Sequence, residues 1–287
     1  MSQKPRNFQF LIDAITNFLK HDGMVVAGYL AFLTLLALFP FIIFLVSLAG
    51  FFGQSDAGPQ ALEYLFEHMP EDVSKVLREP IEKMVRTTDK NIMTFSILGA
   101  LWVCSSAIDT ARLAIVRAFG TVSRRPFIRR RAEGLLLVVL SASSIIIGMS
   151  ILVFGPVAWK ILISYIPLET DWKLVWNLAR LSLSVSLIFG ALCLSYFVLK
   201  PRKLAARTPV MAGAFTTLVL WMIVGNGFSI YLKHFGNYDV TYGSLAGVII
   251  TLMLFYFIGA SYILGAEVNA ALYHQRLKNI TINNPRN

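Results

Sequence analysis

Six stretches of this chain hold no Asp, Glu, Lys or Arg: residues 24–52, 91–108, 134–159, 181–199, 208–232 and 240–266. An uncharged run of about 20 residues is what a helix needs to cross roughly 30 Å of hydrocarbon. Lipid offers the backbone no hydrogen-bond partner, so each run must satisfy its own amides as a helix. The second run needs residues past Asp109 to complete its length, and Pro40 in the first predicts a kink. In the third, Gly155-Pro156 predicts that the helix ends or bends before Lys160. The expected spans are 24–52, 91–115, 134–159, 176–199, 208–232 and 242–272, giving an all-α membrane domain over residues 24–272.

With 15% charged residues and a mean hydropathy of +0.65, the chain lies far from the soluble average, and its few charges report topology. Lys4, Arg6 and Lys20 precede the first span, and Arg117 with the Arg124–Arg131 block follows the second. Lys200, Arg202, Lys203 and Arg207 follow the fourth, and Arg276, Lys278 and Arg286 follow the sixth. These segments share one side of a six-span arrangement, and the positive-inside rule assigns that side, with both termini, to the cytoplasm. Acids gather opposite: Asp56, Glu63, Glu67, Glu71, Asp72, Glu79, Glu82 and Asp89 in the first outer loop, then Glu169, Asp171 and Asp239. The net charge of +10 is thus a topological signature before it is a sign of a nucleic-acid partner. The run at 24–52 is too long for a signal-peptide core, and no small-residue cleavage site interrupts it. Cys104 and Cys193 both lie in apolar runs and build no disulfide framework.

Two pieces outside the spans carry helical periodicity. Phe8, Leu11, Ile12, Ile15, Phe18 and Leu19 recur at that spacing, predicting an interfacial amphipathic helix in a cytoplasmic segment over residues 1–23. In the first outer loop, Leu62, Leu65, Phe66 and Met69 form one stripe, and Val73, Val76, Leu77, Ile81, Met84 and Val85 another. Punctuated by Pro70 and Pro80, they predict two short amphipathic helices forming an outer cap over 57–90; residues 273–287 remain as a cytoplasmic tail.

No phosphate loop, nucleophile elbow or H-E-x-x-H helix is present, and no metal site or cofactor is expected. Glu63, Glu67 and Glu71 share a helix face, open to a divalent cation or simply to solvent. Ionisable residues within the spans are better candidates, because burying them is costly. Asp109 and Arg112 share one face of the second span, while Glu267 and Asn269 lie at a similar depth in the sixth. A cluster of Asp109, Arg112, Glu267 and Asn269 is either a static tie between helices or a working site, with an Asp109/Glu267 proton relay among its uses. Arg180 either snorkels outward or lines an outward-facing cavity with Asn226. Gly243 and Gly247, then Ser261 and Gly265, predict close helix packing. Arg124, Arg125, Arg129, Arg130 and Arg131 read as an inside anchor or as contacts to anionic lipid headgroups; a single aromatic, Phe127, accompanies them, so nucleic acid is not expected.

The segment TYGSLAGVIITLMLFYFIGASYILGAEVNAAL, residues 241–272, resembles the last span of the BrkB/YihY-like bacterial inner-membrane proteins. AGYLAFLTLLALFPFIIFLVSL (27–48) and GAFTTLVLWMIVGNGFSIY (213–231) fit the same family, and the similarity runs over nearly the whole chain. The resemblance carries over Tyr242, Gly243, Gly247, Gly265, Glu267 and Asn269 as motif positions, without assigning them chemistry. It implies labels that include ribonuclease BN and serum-resistance virulence factor, and an association with lipid movement in the envelope. Hydrolysing RNA needs a metal–carboxylate or histidine site, whereas the cytoplasmic carboxylates outside the spans are Asp13, Asp22 and Glu133, and the histidines stand apart in sequence.

The expectation is a bacterial inner-membrane protein that handles an anionic amphiphile such as a lipid, with Arg112, Arg180, Asn226 and Glu267 lining its site. Membrane lipids are the expected partners, with room for an energising or envelope protein. A purely structural or assembly role is the alternative, and a ribonuclease the disfavoured one.

Overall fold

The computed structural model describes residues 9–53, 90–121, 126–165, 172–201, 209–234 and 245–283. Among them all regular structure is helical: α1 Gln9–Lys20, α2 Gly23–Gly53, α3 Lys90–Ala118, α4 Phe127–Tyr165, α5 Trp172–Leu199, α6 Met211–His234 and α7 Leu245–Asn283. The outer-cap segment 57–89, Arg124, Arg125, Tyr242 and Gly243 lie outside the described residues.

Three described helices are long and apolar enough to cross a bilayer by themselves: Leu174–Leu199, Met211–Lys233 and Gly247–Asn279. A fourth candidate is the bent pair α1 and α2, broken by 68° at residues 21 and 22. Polarity is turned inside out relative to a soluble protein. Phe215, Met222, Ile223 and Ile230 of α6 face outward, as do Leu174, Leu178 and Leu183 of α5, while Ser184, Thr217, Arg112 and Glu267 are buried. That is the distribution expected where the surroundings are lipid.

The chain divides into two compact units, Met1–Ala31 with Ala107–Asn287 and, separately, Phe32–Ser106. In the smaller unit, α2 continues through Pro40, and a Cβ on Gly99 of α3 would meet the proline ring at ordinary van der Waals distance. In the larger unit, α7 packs on α6 and α1, and α5 packs on α4 and α6.

The elbow between α1 and α2 has a local cause. Asp22 adopts φ +57°, and its carbonyl accepts the Val26 amide at 3.0 Å, opening α2. A Cβ on Gly23 would strike the Phe18 ring and carbonyl, so the chain can turn this sharply only over glycine. At the other end of the second long run, α3 stops at Gly120, whose φ of +62° lets the Thr121 amide reach back to the Val116 carbonyl at 3.1 Å.

Three expectations change. Helix α4 does not end at Gly155-Pro156; it continues to Tyr165, since a helix packed in a bundle can absorb the single backbone bond a proline removes. Much of the expected tail is helix, because α7 runs to Asn283. And α1 is more than a raft on the membrane surface: Ala14 and Phe18 are buried, Ala14 against Val268 and Ala271 of α7. Ile12, Ile15 and Leu19 form its exposed apolar face.

Candidate functional site

A layer of buried polar side chains crosses the larger unit where α3 and α5 end and where α2, α4 and α6 begin. Helix α7 passes through it and α1 closes over it. It has three parts.

The first surrounds Arg112, which is 2% exposed. Its Nη1 donates to Glu133 Oε2 at 2.8 Å, and its Nε lies 3.9 Å from Asp109 Oδ1. Arg129 Nε donates to the other Glu133 oxygen at 3.2 Å, and Arg131 stands 4.0 Å from Asp109 Oδ2. Part of the basic block therefore faces inward onto two carboxylates. Phe127, Ile128 and Arg129 remain exposed, and Arg130 is half-buried. Arg112 Nε and Nη2 have no hydrogen-bond acceptor.

The second part joins the elbow to α7. His21 Nδ1 and Glu267 Oε1 are 2.7 Å apart, and Glu267 is 1% exposed. Glu267 Oε2 is buried without a hydrogen-bond partner.

The third part fastens α5, α6 and α7. Asn269 Oδ1 accepts the Gly213 amide at 2.7 Å, and its Nδ2 reaches the Val210 carbonyl at 3.4 Å. Tyr196 shares a 2.7 Å hydrogen bond with Thr217 and donates at 2.6 Å to the Tyr262 carbonyl; its ring stacks on Tyr262 at 4.7 Å. A Cβ on Gly265 would collide with Thr217, the Tyr196 hydroxyl and the Gly213 carbonyl, and one on Gly213 with Gly265 and Asn269. Glycines at these positions bring α6 and α7 close enough for the side-chain bonds to form. Beside this junction, Ile115, Phe119, Tyr196, Lys200, Val210 and Asn269 line a narrow crevice. Lys200, 4% exposed, holds its ammonium 4.4 Å over the Phe197 ring, and burial pushes its pKa below the usual lysine value.

The expected cluster of Asp109, Arg112, Glu267 and Asn269 lies within this layer, with different pairings. Arg112 goes to Glu133 and Asp109, Glu267 to His21, and Asn269 to the backbone of α6. Asn226 is exposed and donates to the Met222 carbonyl of its own helix at 2.7 Å, so its amide does not point into a cavity shared with Arg180. Arg180 is half-buried in α5. Gly265 makes the close contact expected of it, whereas Gly247 is exposed with nothing within 4 Å. Sequence reasoning passed over His21, Tyr196, Gly213 and Thr217. A histidine beside the Asp22-Gly23 break, and a tyrosine and a threonine within apolar runs, were the signals available.

The profile of the family described as Virulence factor BrkB matches residues 14–287. The chain belongs to this family. The BrkB-family chain is 28% identical over 272 residues to a Bacillus subtilis protein whose name calls it ribonuclease-like, YfkH, covering 94% of this chain and 96% of that one. It is 29% identical over 270 residues to a UPF0761 membrane protein of Vibrio campbellii, covering 92% and 81%. A UPF0761 membrane protein of Photobacterium profundum is 27% identical over 260 residues, covering 88% and 78%. No solved structure matches the chain. Apolar helices and these relatives together make it a membrane protein.

Proposed function

We propose that this BrkB-family protein crosses the bacterial inner membrane six times with both termini in the cytoplasm, and that it binds and moves an anionic amphiphile, a phospholipid being the favoured class. The observation that carries the reading is Arg112. A guanidinium 2% exposed, with Nε and Nη2 lacking acceptors, has donor capacity for one more anionic oxygen. Glu133 and Asp109 hold it in place without using all of it. Lys200 provides a second buried cation at the same end of the helices, and exposed Arg129 and Phe127 sit where headgroups would meet α4. Arg180, in the opposite half of α5, would meet the headgroup on the far side.

The reading is non-enzymatic. The carboxylate and histidine nearest to a hydrolytic pair are both engaged, Glu133 with two arginines and His21 with Glu267.

Reconstituted vesicles carrying a fluorescent anionic phospholipid test it. Wild type should speed exchange between leaflets, and Arg112→Ala should slow it by about tenfold, as expected for losing one charge-assisted contact. Arg112→Lys should recover part of that rate. Failure of wild type to move any anionic lipid sinks the proposal. Nuclease-free protein that degrades RNA would restore the enzymatic reading. A second reading, a structural or assembly protein, is favoured by the Gly213–Gly265 junction, packed tightly enough to resist hinge motion. It predicts that the protein supports cell-envelope integrity while wild-type vesicles move no lipid.

A further inference from the structure

We propose that Glu267 and His21 form a proton-binding site, through which proton uptake is coupled to the seating of the α1–α2 elbow on α7. The inference rests on the transport reading for its use, but the site itself stands on geometry. Glu267 is 1% exposed, one of its oxygens is bound at 2.7 Å by the imidazole, and the other is buried with no donor. A carboxylate oxygen in that position is an acceptor without a hydrogen, and a proton is the smallest ligand that completes it. The imidazole side chain is 35% exposed, so it joins the buried carboxylate to bulk water.

Among the described residues, the other charges on the neighbouring elements are exposed or paired elsewhere. Asp13 and Lys20 of α1 and Asp22 at the elbow are exposed, and so are His274, Arg276 and Lys278 of α7. Helix α2 is uncharged over residues 24–52, and α6 is uncharged from Met211 to Leu232. Helix α3 offers Arg112, which Glu133 holds, and α5 ends at Lys200 over the Phe197 ring. Among the described residues, His21 is the ionisable group paired with Glu267. Its partner is not Asp109, which lies among Arg112 and Arg131.

The elbow makes the pair mechanical. His21 sits between α1, docked through Ala14 on Val268 and Ala271, and α2, whose Ala27 and Leu30 share a buried cluster with Ile263 and Ala266 of α7 and would meet a Cβ built on Gly259. Both helices meet α7 on either side of Glu267. A change in the number of protons held there changes the bond on which the 68° bend pivots.

Infrared difference spectroscopy of the purified full chain, stepped between about pH 4 and pH 9 to bracket ordinary Glu and His titration, reads the site directly. A Glu267-dependent component of the protonated-carboxyl band should grow on acidification, be missing in Glu267→Gln and move its midpoint in His21→Asn. Absence of any Glu267-dependent band overturns the site, and an unmoved midpoint in His21→Asn overturns the pairing. Lipid exchange in vesicles with an imposed pH gradient supplies the second arm. Glu267→Gln should lose the acceleration that the gradient produces in wild type; a full response in that variant overturns the coupling. Vesicles without exchange in any variant would refute the transport reading, and the infrared result would still decide the site.

Discussion

Arg112 shows how a single buried charge constrains its neighbours. Its guanidinium lies out of water with Glu133 at 2.8 Å, so removing either partner strands the other. Glu133→Gln and Arg112→Met should each cost about 3 kcal/mol, the scale for breaking a buried pair, measured as loss of thermal stability in detergent. The double variant should cost less than the sum, because neither charge is left behind. Additive losses would mean that the two residues contribute separately. Asp109 and Arg112 were legible in the sequence from their spacing and from the rule against charge in lipid. Glu133 was visible only as a carboxylate outside the runs, since nothing in one dimension says that the start of α4 returns to the end of α3.

At the scale of elements, small residues mark two different situations. Gly265 has no room for a methyl group, its imagined Cβ meeting Thr217, Tyr196 and Gly213, while Gly247 faces open space. Gly265→Ala should lower stability by about 2 kcal/mol through overpacking and separate α6 from α7. Gly247→Ala should leave stability unchanged or raise it by up to about 1 kcal/mol, because alanine favours the helix. Melting curves of the two variants side by side test both, and equal losses would refute the α6–α7 contact described above. The G-x-x-x-G spacing could not separate the cases. Spacing sets which glycines share a helix face, and the neighbouring helix decides which face is covered. Residues 9–20 taught the same lesson, since their stripe predicted a helix but not the α7 groove that buries Ala14.

For the whole molecule, the proposal of six crossings makes a direct claim about sidedness. Lys20 at the end of α1 and Lys278 near the end of α7 are both exposed and should share the cytoplasmic side. In a background with Cys104 and Cys193 replaced by alanine, Lys20→Cys and Lys278→Cys should resist a membrane-impermeant thiol reagent in intact cells and react once the membrane is opened. Labelling of one but not the other in intact cells would require an odd number of crossings between them. The buried layer runs along the same end of the larger unit as these residues, so under the proposed function it should be reached from that side.

Taken alone, the sequence determined that this is a helical membrane protein of the BrkB family, and its charge pattern predicts a basic side and an acidic side. The reason is that hydrocarbon penalises charge and bare backbone wherever they occur, a constraint written along the chain in run lengths and charge positions. Which charges meet was decided only in three dimensions. Contacts such as Arg112 with Glu133, His21 with Glu267 and Tyr196 with Thr217 depend on the packing of helices far apart in sequence, and close packing is set by the shape of the facing surface.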